Sequence, residues 1–174
     1  MAKIGFTKLG LKKNDSIKTV TWNEQVIEVK QYLPIEEKLD LIANVMQASY
    51  QDTNYSNPIK ETVYYTLYMI EAYTNINFTD KQFADAPKTY DLIIGSDFYS
   101  AVFGAIPEEE REYVREGLND TVEAFYKYRN SILGILETVS QDYENLNLDA
   151  TAIQEKLADP NNLELLRGVL KNLG

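Results

Sequence analysis

Two short segments near the start of the chain have the composition of paired β-strands. Residues 17–22 and 25–30 are rich in β-branched side chains, and such runs on both sides of a short turn predict a β-hairpin. Asn23, between them, tolerates the left-handed backbone conformation of a tight turn, whereas Glu24 is less suited to it than glycine. A lone hairpin is marginally stable in water, so we expect it to pack against the helices that follow.

After the hairpin, apolar side chains recur at intervals of three and four residues, which predicts helices. The first covers residues 34–49 and has acidic residues in its first turn, where the helix dipole favours them. Asn57 is the expected N-cap of a second helix, and Pro58 is its first residue. This helix is apolar or aromatic on most sides, which is typical of a helix at the centre of a domain. Thr79 is a candidate cap for a short turn that follows it.

The second half of the chain also shows helical spacing. A helix starts at Pro87, and Gly95 either ends or weakens it. From Pro107 the apolar pattern is long. It predicts either one helix of about ten turns or two helices that are separated near residues 117–120.

The predicted elements define a mainly α protein (α+β), a helical bundle of about five to seven helices with an N-terminal β-hairpin. The last two helices are expected at residues 149–157 and 163–173. A length of 174 residues suits a single domain, residues 1–174. Its expected parts are an N-terminal arm and β-hairpin (residues 1–33), a main helical core (34–145) and a C-terminal helical appendage (146–174).

The chain is acidic, with 27 aspartate and glutamate residues against 17 lysine and arginine residues and a formal net charge of −10. This charge disfavours nucleic acids, because affinity for phosphates comes from lysine and arginine. It favours solubility and basic partners. No apolar run approaches the ~18 residues of a membrane span, and we identify no secretory signal. We therefore expect a cytoplasmic protein that binds neither nucleic acid nor membrane.

Histidine and cysteine are absent, which excludes Ser-His-Asp triads, Cys-His pairs and ordinary zinc sites. Catalysis would have to rest on carboxylates, lysine, tyrosine or a carboxylate-bound metal. The five glutamates between residues 108 and 116 are expected to form a solvated helix start, because consecutive residues on a helix point in different directions. We expect no enzymatic activity and assign no catalytic, cofactor-binding or metal-binding residue.

Aromatic side chains are the candidates for a protein-contact surface. Several of the 13 tyrosines lie close together on the second predicted helix, and tyrosine offers a large contact area with a polar tip. The alternative, which ordinary packing favours, is that these tyrosines form a thick, partly solvated edge of the core. The exposed edge of the hairpin is a further candidate surface. The candidate contact residues are Tyr64, Tyr65 and Tyr68 on the helix and Trp22 on the hairpin.

Three segments of the chain carry a resemblance to known proteins: VIEVKQYLPIEEK at residues 26–38, YTNINFT at 73–79 and GAIP at 104–107. They resemble small proteins encoded in the structural modules of phages and prophages of Gram-positive bacteria, and among these the tail assembly chaperones. The resemblance covers about the first two-thirds of the chain. It implies a non-enzymatic protein of the host cytoplasm that binds other phage structural proteins, namely tail or tape-measure subunits. It leaves open whether the protein enters the virion and whether it forms a homo-oligomer.

Three alternatives remain open. One is a structural component of the virion, such as a head–tail connector or a minor tail protein. Another is an inhibitor that mimics nucleic acid, which requires carboxylates at phosphate-like spacing on one face. The third is a carboxylate-dependent hydrolase, which requires an apolar cleft with two buried carboxylates of shifted pKa.

Overall fold

The computed structural model describes residues 3–50, 57–131 and 134. Contacts group the chain into two compact units, Met1–Phe125 and Tyr126–Gly174. The described part is mainly helical with an N-terminal two-stranded antiparallel β-hairpin, which confirms the predicted fold class. The two C-terminal helices that the sequence predicts lie outside the described residues, and the predicted domain boundaries stay predictions.

The described elements begin with a short 3-10 turn at Phe6–Leu9 in the N-terminal arm, and a second such turn lies at Phe103–Ala105. The hairpin comes next and the α-helices follow it. Their bounds are β1 Ile17–Trp22, β2 Gln25–Lys30, α1 Ile35–Tyr50, α2 Pro58–Tyr73, α3 Asp80–Ala84, α4 Ala86–Ile94, α5 Phe98–Val102 and α6 Glu108–Arg129.

The hairpin turn has the backbone conformation that the sequence predicts. Asn23 and Glu24 have φ angles of 45° and 64°, and two consecutive left-handed residues are what a tight two-residue turn requires. The register pairs Val20 with Ile27. Ile27 and Val29 are buried on one face of β2, so the hairpin packs its apolar face into the helical core, as expected.

Strand β2 forms hydrogen-bonded contacts along both of its edges, with β1 on one side and with residues 74 and 75 on the other. On the side away from β1, Val29 forms an isolated bridge with Thr74. Beside it, the Asn75 side chain accepts a hydrogen bond from the Glu28 N–H at 3.1 Å and donates one to the Val26 carbonyl at 3.3 Å. In the described part of the chain the sheet has two strands, so the outer edge of β1 pairs with no other strand there.

Helix α2 lies at the centre of the described core. Asn57 caps it as predicted, because its side-chain oxygen accepts hydrogen bonds from the N–H groups of Ile59 at 2.9 Å and Lys60 at 3.3 Å. Apolar residues on most of its sides are buried, which is why α1 and α4 both pack against it and why the buried residues of the hairpin belong to the same core cluster. The buried residues of α2 are Val63, Tyr65, Thr66, Leu67, Met69, Ile70 and Tyr73.

The sequence left open whether Gly95 ends or only weakens the helix that starts near Pro87. In the structure Gly95 ends this helix, α4. Its N–H donates a hydrogen bond to the carbonyl of Asp91 at 2.8 Å. A side chain at this position would place its Cβ 2.8 Å from the same oxygen. The tight last turn of α4 therefore requires glycine at position 95, because a Cβ atom would clash with the Asp91 carbonyl.

Helix α6 passes through residues 117–120 without a break and ends at Arg129, so both predictions for this segment were wrong. The end comes from Ser131, whose N–H and hydroxyl both donate to the carbonyl of Tyr128, at 2.9 and 2.5 Å. Such local hydrogen bonds compete with the helical ladder. Gly117 has a packing role, because a Cβ there would lie 3.0 Å from the Cδ1 atom of Ile42 on α1.

Candidate functional site

An open and largely apolar groove lies between the tip of the hairpin and helices α3 to α5. Its cavity volume is about 410 Å³, within the range of sites that hold small ligands or a few side chains. We call it the tip groove. Leu92 on its wall is 70% exposed, although leucine is normally buried. Its apolar lining consists of Trp22, Phe78, Leu92, Ile93 and Phe98, and its polar lining of Lys81, Gln82, Asp85, Lys88, Thr89 and Ser96.

Aromatic contacts fix two walls of the tip groove. The ring of Trp22 meets that of Phe98 edge to face, with centroids 5.5 Å apart, and this contact joins the hairpin tip to α5. Phe83 stacks on Tyr68 at 4.9 Å and meets Phe78 edge to face at 5.9 Å. Such pairs contribute beyond their buried area, so the groove is formed by side chains that are already held in place.

Hydrogen bonds fix α3 against α4 at the floor of the tip groove. Thr79 and Gln82 form a reciprocal capping box at the start of α3, which confirms the predicted cap. The Thr89 hydroxyl of α4 lies 3.0 Å from the Gln82 carbonyl and 3.2 Å from the Asp85 carbonyl, and it is the donor to both. The two short helices therefore hold one fixed arrangement along the groove.

The polar lining of the tip groove is more basic than the protein as a whole. Among its described lining residues, Lys81 and Lys88 are cationic and Asp85 is the one carboxylate. Neither lysine forms an ion pair with a residue in the described part of the chain. The described lining lacks the pair of carboxylates that the hydrolase alternative requires.

The structure separates the four predicted contact residues. Trp22 is partly buried and lines the tip groove. Tyr65 is 2% exposed and belongs to the core, which corrects its assignment to a contact surface. The reason is its position on the inner face of α2, where its hydroxyl donates to the Arg111 carbonyl at 2.8 Å and the Arg115 guanidinium lies 4.3 Å from its ring centroid. Burial raises the pKa of Tyr65.

Tyr64 and Tyr68 are half-buried and lie side by side on α2, with ring centroids 6.4 Å apart. Tyr68 also lines a shallow pocket between α1 and α2. Burial, and then the charge of Glu71, raise the pKa of its hydroxyl. The contact role of both residues stays a prediction. Their partial burial also fits the alternative that these tyrosines form a partly solvated edge of the core.

A buried ion pair that the sequence did not reveal joins α1 to α6. The Lys38 ammonium lies 2.8 Å from a carboxylate oxygen of Glu110, and the two side chains are 6% and 13% exposed. The other Glu110 oxygen accepts hydrogen bonds from the Leu33 N–H at 3.0 Å and the Tyr73 hydroxyl at 2.8 Å. Glu110 therefore departs from the solvated face that was predicted for this helix start, whereas Glu108 and its neighbour Glu109 are exposed.

Two aromatic rings complete the surroundings of the Lys38 ammonium. Its nitrogen lies 4.7 Å from the ring centroid of Tyr32 and 4.7 Å from that of Tyr113. Cation–π contacts of this kind are attractive and partly replace lost water. The pair and its partners come from α1, α2, α6 and the segment between β2 and α1. This cluster therefore ties together four parts of the first unit, and none of its residues lines the tip groove.

The pKa of Glu110 links this cluster to acid stability. Burial raises that pKa, but hydrogen bonds from Lys38, the Leu33 N–H and Tyr73 together outweigh burial, and the pKa lies below its ordinary value. Burial and the bond to Glu110 raise the pKa of Tyr73.

We expect Glu110 to make the folded state acid-sensitive. Because its pKa is lowered on folding, its contribution is complete above the ordinary carboxyl pKa of about 4.3 and is lost as the pH falls through the lower folded value. Urea midpoints measured between neutral and acid pH should fall less steeply in Glu110→Gln than in the parent protein. The same acid slope in both proteins would contradict this assignment. Glu37→Gln, at an exposed ion pair with Lys30, serves as the control.

The described residues contain no group of three or more side chains placed to hold a metal ion. Among them, no helix is both long enough and apolar enough to cross a membrane. No protein-family model, curated protein or solved structure matches the chain.

Proposed function

We propose that this chain is a non-enzymatic phage assembly protein, a tail assembly chaperone that holds a tail or tape-measure subunit before it is incorporated. The observation that carries the proposal is the tip groove, an open apolar site on a helical domain. Its occupant is an apolar segment of the unassembled subunit. The resemblance of the sequence to phage structural-module proteins supplies the identity of that partner.

The energetics of the tip groove support a docking role. Leu92 is largely exposed beside the partly buried Trp22, and burying apolar surface of this kind stabilises a complex by about 25 cal/mol per Å². Aromatic residues in preformed pockets are typical binding hot spots. Because the aromatic walls are already fixed by their own contacts, little ordering cost remains on the chaperone side.

We expect Leu92→Asp to reduce recovery of the partner at least tenfold, because a carboxylate in the tip groove must be desolvated when an apolar segment binds. The measurement is affinity purification of the tagged full chain from phage-producing cells, with mass spectrometry of the co-purified tail and tape-measure subunits. Stability should change little, since Leu92 is exposed in the free protein.

Leu39→Asp is the matched control, because Leu39 is 59% exposed on α1 and does not line the tip groove. Equal recovery of partners by both variants would overturn the assignment of the groove. Finding the protein as a stoichiometric part of purified particles would favour the alternative of a virion structural component over a transient chaperone.

A further inference from the structure

We propose that the segment that occupies the tip groove is amphipathic, with apolar side chains that enter the groove and neighbouring acidic side chains that pair with Lys81 and Lys88. This inference rests on the proposed function and defines the chemistry of its partner. On this proposal, the groove selects its partner by charge as well as by apolar fit.

The apolar half of the inference comes from the shape of the groove. Trp22 and Phe98 form one fixed corner through their edge-to-face contact, and Leu92 stands exposed on the wall of α4. A cavity of about 410 Å³ has room for a few side chains of a docking segment and not for a whole domain. Apolar anchors from one face of a segment fill such a groove.

The acidic half comes from the local reversal of charge. The protein carries a formal charge of −10, yet the described lining of the groove has two lysines against one aspartate. Both lysines lack ion-pair partners within the described residues. Carboxylates on a partner would therefore find two available cations at the groove, and complementary charge of this kind sets the specificity and orientation of docking.

The chain's own N-terminal arm fits the groove poorly. Residues 3–13 contain four lysines and no acidic residue, so an arm from a second copy would bring positive charge to Lys81 and Lys88. Like charges at an interface suppress a wrong partner. The arm is still a relevant competitor, because it has four exposed large apolar side chains, at Ile4, Phe6, Leu9 and Leu11.

The binding of three synthetic peptides to the full-length protein tests the inference. The first is an amphipathic peptide of about 15 residues, long enough to form a helix on binding, with leucines on one face and glutamates beside them. The second has lysine in place of each glutamate, and the third is the arm sequence of residues 3–13. Trp22 is the one tryptophan of the chain and lines the groove, so peptides without tryptophan permit its fluorescence to report occupancy directly.

We expect the glutamate peptide to change Trp22 fluorescence and to bind about tenfold more tightly than the lysine peptide at ~0.15 M salt, where charges beyond roughly 8 Å are screened. The double variant Lys81→Glu/Lys88→Glu should reverse this preference. The double variant Lys3→Glu/Lys12→Glu changes the net charge by the same amount away from the groove, and it should keep the preference of the parent protein.

Each contrary outcome has its own meaning. Equal binding of the first two peptides, with no effect of the groove reversal, overturns the charge inference and leaves the proposed function in place. Tighter binding of the arm peptide assigns the groove to a second copy and also overturns the inference. If no peptide changes Trp22 fluorescence and Leu92→Asp retains all partners, the inference and the proposed function fall together.

Discussion

Glu110→Gln is expected to lower the free energy of unfolding by about 3–5 kcal/mol, the usual cost of removing one partner from a buried ion pair. The substitution deprives the Lys38 ammonium of its carboxylate, and the Lys38 side chain is only 6% exposed. The rings of Tyr32 and Tyr113, each 4.7 Å from the ammonium, supply cation–π attraction, which is weaker than a full opposite charge. Urea unfolding followed by Trp22 fluorescence measures the loss.

Two further variants distinguish the cost of leaving a buried charge unpaired from the general effect on stability of losing a glutamate. Glu37→Gln removes one member of an ion pair of similar length, 3.0 Å, whose side chains are 46% and 49% exposed. It should cost less than about 1 kcal/mol. The double variant Lys38→Met/Glu110→Gln should recover much of the loss, because it leaves no unpaired charge. Equal shifts for the two single variants would mean that the Lys38–Glu110 pair is not buried as described.

Tyr65→Ala is expected to destabilise the protein by about 3–5 kcal/mol, as is usual when a buried aromatic side chain is truncated. The substitution leaves a cavity beside Phe103, whose ring centroid lies 6.3 Å from that of Tyr65. It also removes the hydroxyl that donates to the Arg111 carbonyl. The loss should appear in the same unfolding measurement.

Tyr64→Ala is the control for Tyr65, because it removes the same side chain from the next position on α2, where it is half-buried. We expect a cost of about 1 kcal/mol or less. If Tyr65→Ala instead kept its stability and lost partners in the affinity purification, Tyr65 would be a contact residue after all. If Tyr64→Ala lost partners alone, the predicted contact role of Tyr64 would be supported.

Local signals in the sequence predict much of this fold. The turn at Asn23 and Glu24, the cap at Asn57 and the capping box at Thr79 each depend on residues within a few positions. The end of α6 was missed because the apolar pattern continues past it, whereas the hydrogen bonds of Ser131 decide the outcome. The apolar periodicity does not show which polar group will take the place of a helical backbone hydrogen bond.

The buried ion pair, the buried tyrosine and the tip groove were harder to predict, because they depend on contacts between distant parts of the chain. Lys38 and Glu110 are 72 positions apart, and no spacing rule connects them. Tyr64 and Tyr65 are neighbours of one type, so composition does not show which of them faces the core. One signal for the groove was available: Leu92, Ile93 and Ile94 are consecutive apolar residues, and three successive positions on a helix cannot all face one side.

The attachment of β2 to Asn75 has a consequence for how this protein folds. That side chain bonds to Glu28 and Val26 across 47 and 49 positions of the chain. These bonds form only after a long loop has closed, and loop closure costs entropy before any contact compensates it. The second edge of the hairpin therefore depends on the end of α2, and we expect the two elements to melt as one cooperative unit.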